Sequence, residues 1–194
     1  MTTVMGSPAA LESKPEKTSR YIIPREHGAW AVLLLPFVSA LVLARQVHWA
    51  VIPAALLVVG VFLLREPLVV LWRQASVWKE RRPESEAARR SLILYLAVIA
   101  VCGALLLWRL PLWAAAALGA PAGALTLASV FLTVHNRQRS VLLQLASAAG
   151  LSASAVVAWL AVRPQLDPAL GWLWALQFAH SGAALLAVHA RLEA

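Results

Sequence analysis

The sequence is short of charge, of cysteine and of aspartate. Only 13% of its 194 residues are charged, whereas a soluble domain carries about 25%. Cys102 is the one cysteine, which excludes a disulfide framework and a cysteine-based metal site. Asp167 is the one aspartate. The chain therefore has no Asp-rich motif of the kind that holds Mg²⁺ for diphosphate chemistry.

Apolar residues are abundant instead, at 61% of the chain, and the mean hydropathy is +0.73. A soluble fold of this size could not bury so much apolar surface. Six apolar segments are each near the length of about 20 residues that crosses a bilayer as a helix. They are residues 28–44, 48–64, 91–108, 111–134, 141–161 and 169–188. The sequence predicts an all-α, polytopic integral membrane bundle of about six transmembrane helices.

The basic residues are distributed unequally between the two sides of this bundle. Fourteen of the 17 Lys and Arg residues lie in the first 25 residues, in the second and fourth connections and at the C-terminus. Only Arg45, Arg109 and Arg163 lie on the other side. Such a bias places both termini and the second connection in the cytoplasm. It also accounts for the net charge of +8 without nucleic acid, because the basic residues face anionic lipid.

The nine tryptophans agree with this topology, because all of them lie near segment ends, where indole rings favour the headgroup level. We expect residues 1–22 to be a disordered cytoplasmic tail. Residues 23–191 then form a single transmembrane domain with a basic cytoplasmic loop at about 65–90.

The second connection allows two interpretations. Pro67 can open a new helix that lies in the inner interface, with Leu71, Trp72 and Trp78 on one face. Alternatively, the second span is one long, tilted helix that ends near Trp72. In either case residues 81–90 are predicted to be a solvated loop, with Pro83 as a helix breaker.

Small residues recur every four positions in two segments, a spacing that lets transmembrane helices approach closely. The fourth segment has Ala115, Gly119 and Gly123, and the fifth has Ala146, Gly150, Ser154 and Ala158. Both helices are therefore predicted to pack inside the bundle.

Three blocks of the chain resemble the YwiC-like family of small bacterial membrane proteins. They are "IPREHGAW" from Ile23, "REPLVVLWRQ" from Arg65 and "HNRQRSVLLQLASAAGLSASA" from His135. The resemblance begins near Ile22 and covers most of the chain. It implies a polytopic protein of the bacterial inner membrane without a settled activity. Family members are usually longer by about two spans, so this chain is expected to be short at its C-terminus. Many members are also expected to have an acidic residue near the position of Gln144.

In the predicted topology the polar residues of all three blocks converge on the cytoplasmic mouth of the bundle. Arginine there can bind an anion in bidentate fashion, and the glutamates can balance its charge. The simpler alternative is that each arginine extends toward the phosphates of ordinary lipids and only fixes the orientation of the protein. The candidate ligand-binding residues are Arg25, Glu26, His27, Arg65, Glu66, Arg73, His135, Asn136, Arg137 and Arg139.

His180 lies near the middle of the sixth segment, and intramembrane ionisable residues are functional candidates. The simpler interpretation is a neutral imidazole bonded to a neighbouring helix. Haem held by two histidines is not expected, because the other histidines lie near one surface or the other. We expect no cofactor and no metal site.

Three classes of function fit the sequence. The first in rank is a non-catalytic membrane component that binds an anionic lipid headgroup, a phosphate ligand or a partner protein at its basic cytoplasmic face, with a homo-oligomer possible. The second is a prenyltransferase-like enzyme acting on an isoprenoid or lipid phosphate, which the missing paired carboxylates disfavour. The third is a small transporter, which predicts broken helices or charge near the midplane.

Overall fold

A computed structural model of the protein describes residues 21–22, 27–78, 83–135, 140–165 and 167–193. Every regular element in these ranges is helical, so the all-α prediction is confirmed. The helices are α1 (His27–Ala44), α2 (Val51–Arg73), α3 (Pro83–Leu107), α4 (Leu112–Val134), α5 (Val141–Ser152), α6 (Ser154–Val162) and α7 (Pro168–Glu193). A π-helical turn, Gln74–Trp78, extends α2.

Several of these helices can cross a membrane. Within the described residues, four stretches are long and apolar enough, namely 51–77, 84–107, 112–134 and 141–162. The apolar part of α1, Gly28–Ala44, is shorter. Helix α7 has 26 residues but is less apolar. The chain is therefore a membrane protein with four long apolar helices, while the count of six spans and the cytoplasmic placement of the termini stay predictions.

The second segment is one long helix rather than a span followed by an interfacial helix. Helix α2 runs from Val51 through Pro67 to Arg73 without interruption. Pro67 removes one backbone N–H donor, which a helix in apolar surroundings tolerates when neighbouring helices enclose that point. Pro67 is fully buried, as this explanation requires.

The prediction of a solvated loop at residues 81–90 is wrong for its described part, because α3 already begins at Pro83. Proline suits the first helical position, where its missing N–H would have no intrahelical partner. Glu84 and Glu86 follow in the first turn, where the helix dipole favours negative charge. The basic segment 65–90 is thus helical on both sides of residues 79–82, which lie outside the described residues.

The small-residue pattern predicts packing correctly in one segment and wrongly in the other. The fifth segment, divided into α5 and α6 at Ala153, is half buried, and a Cβ added at Gly150 would lie 2.9 Å from Leu125 Cδ1 of α4. In α4, by contrast, Gly119 and Gly123 are exposed, with no neighbouring atom within 4 Å of an added Cβ. Helix α4 packs against α2 and α5 through other residues, such as Ser129, Val130 and Thr133, so the prediction of close packing at its glycines is wrong.

Successive spans alternate in direction, which gives the bundle two ends. At one end, which we call the first end, the Tyr95 hydroxyl of α3 donates to the Ile22 carbonyl at 3.0 Å. At the second, which we call the far end, Arg163 Nη2 after α6 donates to the Ala44 carbonyl of α1 at 3.1 Å. The larger apolar core lies toward the far end and includes Phe37, Leu106, Trp159 and Leu173. A smaller one, Val69, Val130 and Val134, joins α2 and α4 at the first end.

Candidate functional site

Arg65 ties α2 to α4 through hydrogen bonds to Ser129 and Thr133, and it also pairs with Glu66 of its own helix. Its Nε donates to Ser129 Oγ at 2.8 Å, and its Nη2 donates to Thr133 Oγ1 at 3.2 Å. Its Nη1 forms an ion pair with Glu66 Oε1 at 3.1 Å. The guanidinium is therefore held in a defined orientation between two helices.

Ser129 and Thr133 are hydrogen-bond partners of Arg65 that sequence reasoning missed. They are four residues apart in α4, which places them on one helical face, and both are buried. The signal in the sequence was this pair of hydroxyls, four residues apart in a mostly apolar helix. Hydroxyl side chains often bond across transmembrane helices, and this pair faces the arginine.

Arg73 reaches the same point of α4 from two turns further along α2. Its Nη2 donates to the Thr133 backbone carbonyl at 3.1 Å. That carbonyl belongs to the last turn of α4, where the helix dipole gives the backbone acceptors a partial negative charge. Thr133 consequently accepts hydrogen bonds from both arginines, through its hydroxyl and through its backbone.

His135 extends this group at the end of α4. Its Nδ1 lies 2.8 Å from the Phe131 carbonyl, which can only accept, so Nδ1 carries the proton. Nε2 is then the ring nitrogen that can contact a ligand, and the ring is exposed. Phe131 packs beneath it at 4.3 Å between ring centroids, and Trp72 meets Phe131 edge-on at 6.2 Å.

We name this group the basic mouth and define it as Arg65, Glu66, Arg73, Thr133 and His135. The structure therefore brings together four of the ten candidate residues from the sequence and adds Thr133 of α4. His27 is described only as the first residue of α1. The other five candidates lie outside the described residues, namely Arg25, Glu26, Asn136, Arg137 and Arg139.

A second polar contact lies at the far end. Arg109 Nη1, after α3, contacts His48 Nε2, before α2. The Ala50 backbone N–H donates to His48 Nδ1 at 3.2 Å. Arg109 Nε is buried and has no hydrogen-bond partner in the described part of the chain. From the sequence, Arg109 was interpreted only as evidence for the membrane topology.

His180 was expected to bond to a neighbouring helix, but it makes no such bond within the described residues. It is exposed on α7, and no hydrogen bond from its ring is found to any described residue. The expectation rested on its central position in the segment, but that position does not decide which way the helix surface faces. No three His, Cys, Asp or Glu side chains come together as a metal site would require within the ranges that the structure covers.

The match to a known family covers most of the chain, while comparisons with curated proteins and with solved structures find no match. The family model described as YwiC-like protein matches residues 23–159. This range includes α1 to α5 and most of α6, and with them every described residue of the basic mouth. Because the match spans well over half of the sequence, the chain belongs to the YwiC-like protein family.

Proposed function

We propose that this protein is a multi-pass protein of the bacterial inner membrane that binds the phosphate of an anionic lipid, or of another phosphate ligand, at its basic mouth. The observation that carries the proposal is the shared anchor of two arginines on Thr133. Two guanidinium groups held at one level of the bundle form a site suited to an oxyanion.

Arg73 is the residue that would bind the phosphate most directly. A guanidinium has five N–H donors, and only one of those on Arg73 meets an acceptor among the described residues. Arg65 is already paired with Glu66, so its charge is partly balanced. Planar guanidinium donors match phosphate oxygens in bidentate geometry, which a lysine at this position would not reproduce.

The aromatic side chains support a ligand at headgroup depth. Trp72 and Phe131 are both partly exposed, and they meet beside His135. Tryptophan in membrane proteins favours the level of the headgroups. A lipid phosphate at that level would lie beside Arg73 without leaving the interface.

The charge distribution supports the cytoplasmic leaflet as the source of the ligand. Fourteen of 17 basic residues lie on the side of the basic mouth in the predicted topology. The cytoplasmic leaflet carries the anionic surface potential, which attracts each basic residue near it by about 1 kcal/mol.

Native mass spectrometry of the purified protein from nanodiscs containing phosphatidylglycerol tests this proposal. We expect Arg73→Gln to retain about tenfold less of this lipid, which corresponds to about 1.4 kcal/mol and matches the loss of one charged hydrogen bond. Arg90→Gln is the matched control, because Arg90 is exposed on α3 and pairs only with Glu86 in the described structure. Equal lipid retention by the two variants would contradict the proposal.

The small transporter is the second candidate, and the break in the fifth segment is the observation that favours it. Helices α5 and α6 meet at Ala153, and the buried hydroxyl of Ser152 has no partner among the described residues. The break is slight, however, since Ala153 keeps helical dihedral angles and its N–H still bonds to Ala149. We therefore rank transport below headgroup binding. Release of a bound solute on the opposite side of proteoliposomes would reverse this order.

A further inference from the structure

The far end of the bundle contains a cavity of about 350 Å³ between the end of α6 and the start of α7. Its lining residues are Trp159, Arg163, Gln165, Asp167 and Pro168. None of these residues belongs to the basic mouth, and the candidate site derived from the sequence includes none of them.

One wall of the cavity carries a fixed positive charge. The Arg163 guanidinium lies over the Trp159 ring, 5.3 Å from the ring centroid. Its Nη2 donates to the Ala44 carbonyl at the end of α1. Both contacts hold the guanidinium in place, and only one of its five N–H donors is used within the described residues.

Another part of the lining carries a fixed negative charge. Asp167 Oδ1 accepts the Ala169 backbone N–H at 2.9 Å, which caps the first turn of α7. The second carboxylate oxygen remains for another donor. The ion pairs of the described residues are Arg65–Glu66 and Arg90–Glu86, so Arg163 and Asp167 do not pair with each other.

The cavity thus presents opposite charges that are anchored separately to the backbone. A simple anion would also face the Asp167 carboxylate, and a simple cation would also face Arg163. A ligand that carries both charges satisfies both side chains.

We propose that this cavity binds a zwitterionic phosphoethanolamine group, with the phosphate against Arg163 and the ammonium against Asp167. Two carbon atoms separate the two charges of this group, so it is small enough for the cavity. Trp108, just after α3, and Trp172, near the start of α7, lie at the far end and are 93% and 79% exposed, which fits a cavity at headgroup depth. The group can come from phosphatidylethanolamine or from free phosphoethanolamine, both of which carry an ammonium and a negatively charged phosphate two carbon atoms apart.

Asp167→Asn is the sharpest variant for a test. Asparagine keeps the oxygen that caps the Ala169 N–H and is an equally good capping residue, so α7 should remain folded. It removes only the negative charge. Arg163→Gln removes the positive charge, and Arg45→Gln is the matched control, because Arg45 is exposed at the same end but does not line the cavity.

The measurement is native mass spectrometry of full-length protein from nanodiscs with equal amounts of phosphatidylethanolamine and phosphatidylglycerol. We expect the wild type and Arg45→Gln to retain phosphatidylethanolamine preferentially. Asp167→Asn should lose this preference at least fivefold, and Arg163→Gln should retain less of both lipids. Preference in Asp167→Asn equal to that of the wild type would overturn the proposal, whatever happens in Arg163→Gln.

A competition experiment separates the two sources of the ligand. Displacement of the retained lipid by millimolar phosphoethanolamine would assign the site to the zwitterion itself. Retention of the lipid under the same conditions would assign it to the membrane lipid, and absence of both kinds of binding would overturn the proposal. Arg73→Gln should lower the retained phosphatidylglycerol, as the basic mouth predicts, but should leave the retained phosphatidylethanolamine and its displacement unchanged. Failure at the basic mouth is therefore distinguishable from failure at this cavity.

Discussion

Removing the hydroxyl of Ser129 should destabilise the bundle through Arg65, and the effects of changing the two residues should not add. The perturbation is a double-mutant cycle of Arg65→Met and Ser129→Ala. The two side chains meet through one hydrogen bond of 2.8 Å between α2 and α4. Each single substitution removes that bond, so the double variant should lose it only once.

The size of the coupling follows from the charge and burial of the pair. Hydrogen bonds to charged groups contribute about 1.5–3 kcal/mol in proteins, whereas bonds between membrane helices average about 0.6 kcal/mol. Ser129 is 8% exposed, but the Arg65 side chain is 26% exposed, which calls for a solvent discount. We therefore expect a coupling free energy of about 1 kcal/mol. Arg65→Met alone should cost about 2–3 kcal/mol, because the Thr133 and Glu66 contacts are lost as well.

The assay is reversible unfolding from detergent micelles into sodium dodecyl sulfate, with the free energy of unfolding measured for all four proteins. A cycle of Arg90→Met with Ser129→Ala is the control and should be additive, because these side chains do not touch. If Arg65→Met and Ser129→Ala add within about 0.3 kcal/mol, the proposed anchoring of Arg65 is refuted.

Two further predictions concern packing and topology. Gly150→Leu should lower the free energy of unfolding by about 1–3 kcal/mol, because the larger side chain overpacks against α4. Gly123→Leu is the control and should be neutral, because its surroundings are open. Equal effects of the two substitutions in the same unfolding assay would contradict the packing. A cysteine at the exposed Glu84, in a protein whose buried Cys102 is replaced by alanine, should be labelled by an impermeant maleimide only after the cells are opened, and labelling of intact cells would reverse the predicted orientation.

The structure of α2 shows that local sequence patterns do not always determine where a helix ends. Pro67 is compatible both with a new helix and with a tolerated interruption inside a long one. The structure has the second arrangement, because α2 continues to Arg73. Continuity matters for the site, since it carries Arg65 and Arg73 to the same end of α4. No pattern within residues 65–73 decides between these outcomes.

The two small-residue patterns show that local spacing also does not determine which helix faces pack together. Gly119 and Gly123 share the four-residue spacing of Gly150 and Ser154, but only the second pair has close neighbours: Leu125 lies beside Gly150, and the Ser154 hydroxyl donates to the Leu33 carbonyl at 2.7 Å. Spacing places residues on one face of a helix. It does not determine whether that face meets another helix or the lipid.

The sequence by itself determined that the chain is helical and belongs in a membrane, because long apolar segments can satisfy their backbone groups in lipid only as helices. It also identified Arg65, Glu66, Arg73 and His135 as residues of one end. Tertiary structure alone decided that Ser129 and Thr133 orient the arginines, and that Arg163 and Asp167 line one cavity without pairing. The physical reason is that each helix can rotate about its own axis without changing its local pattern. Contacts between residues far apart in the chain, such as Arg65 with Ser129, select one rotation.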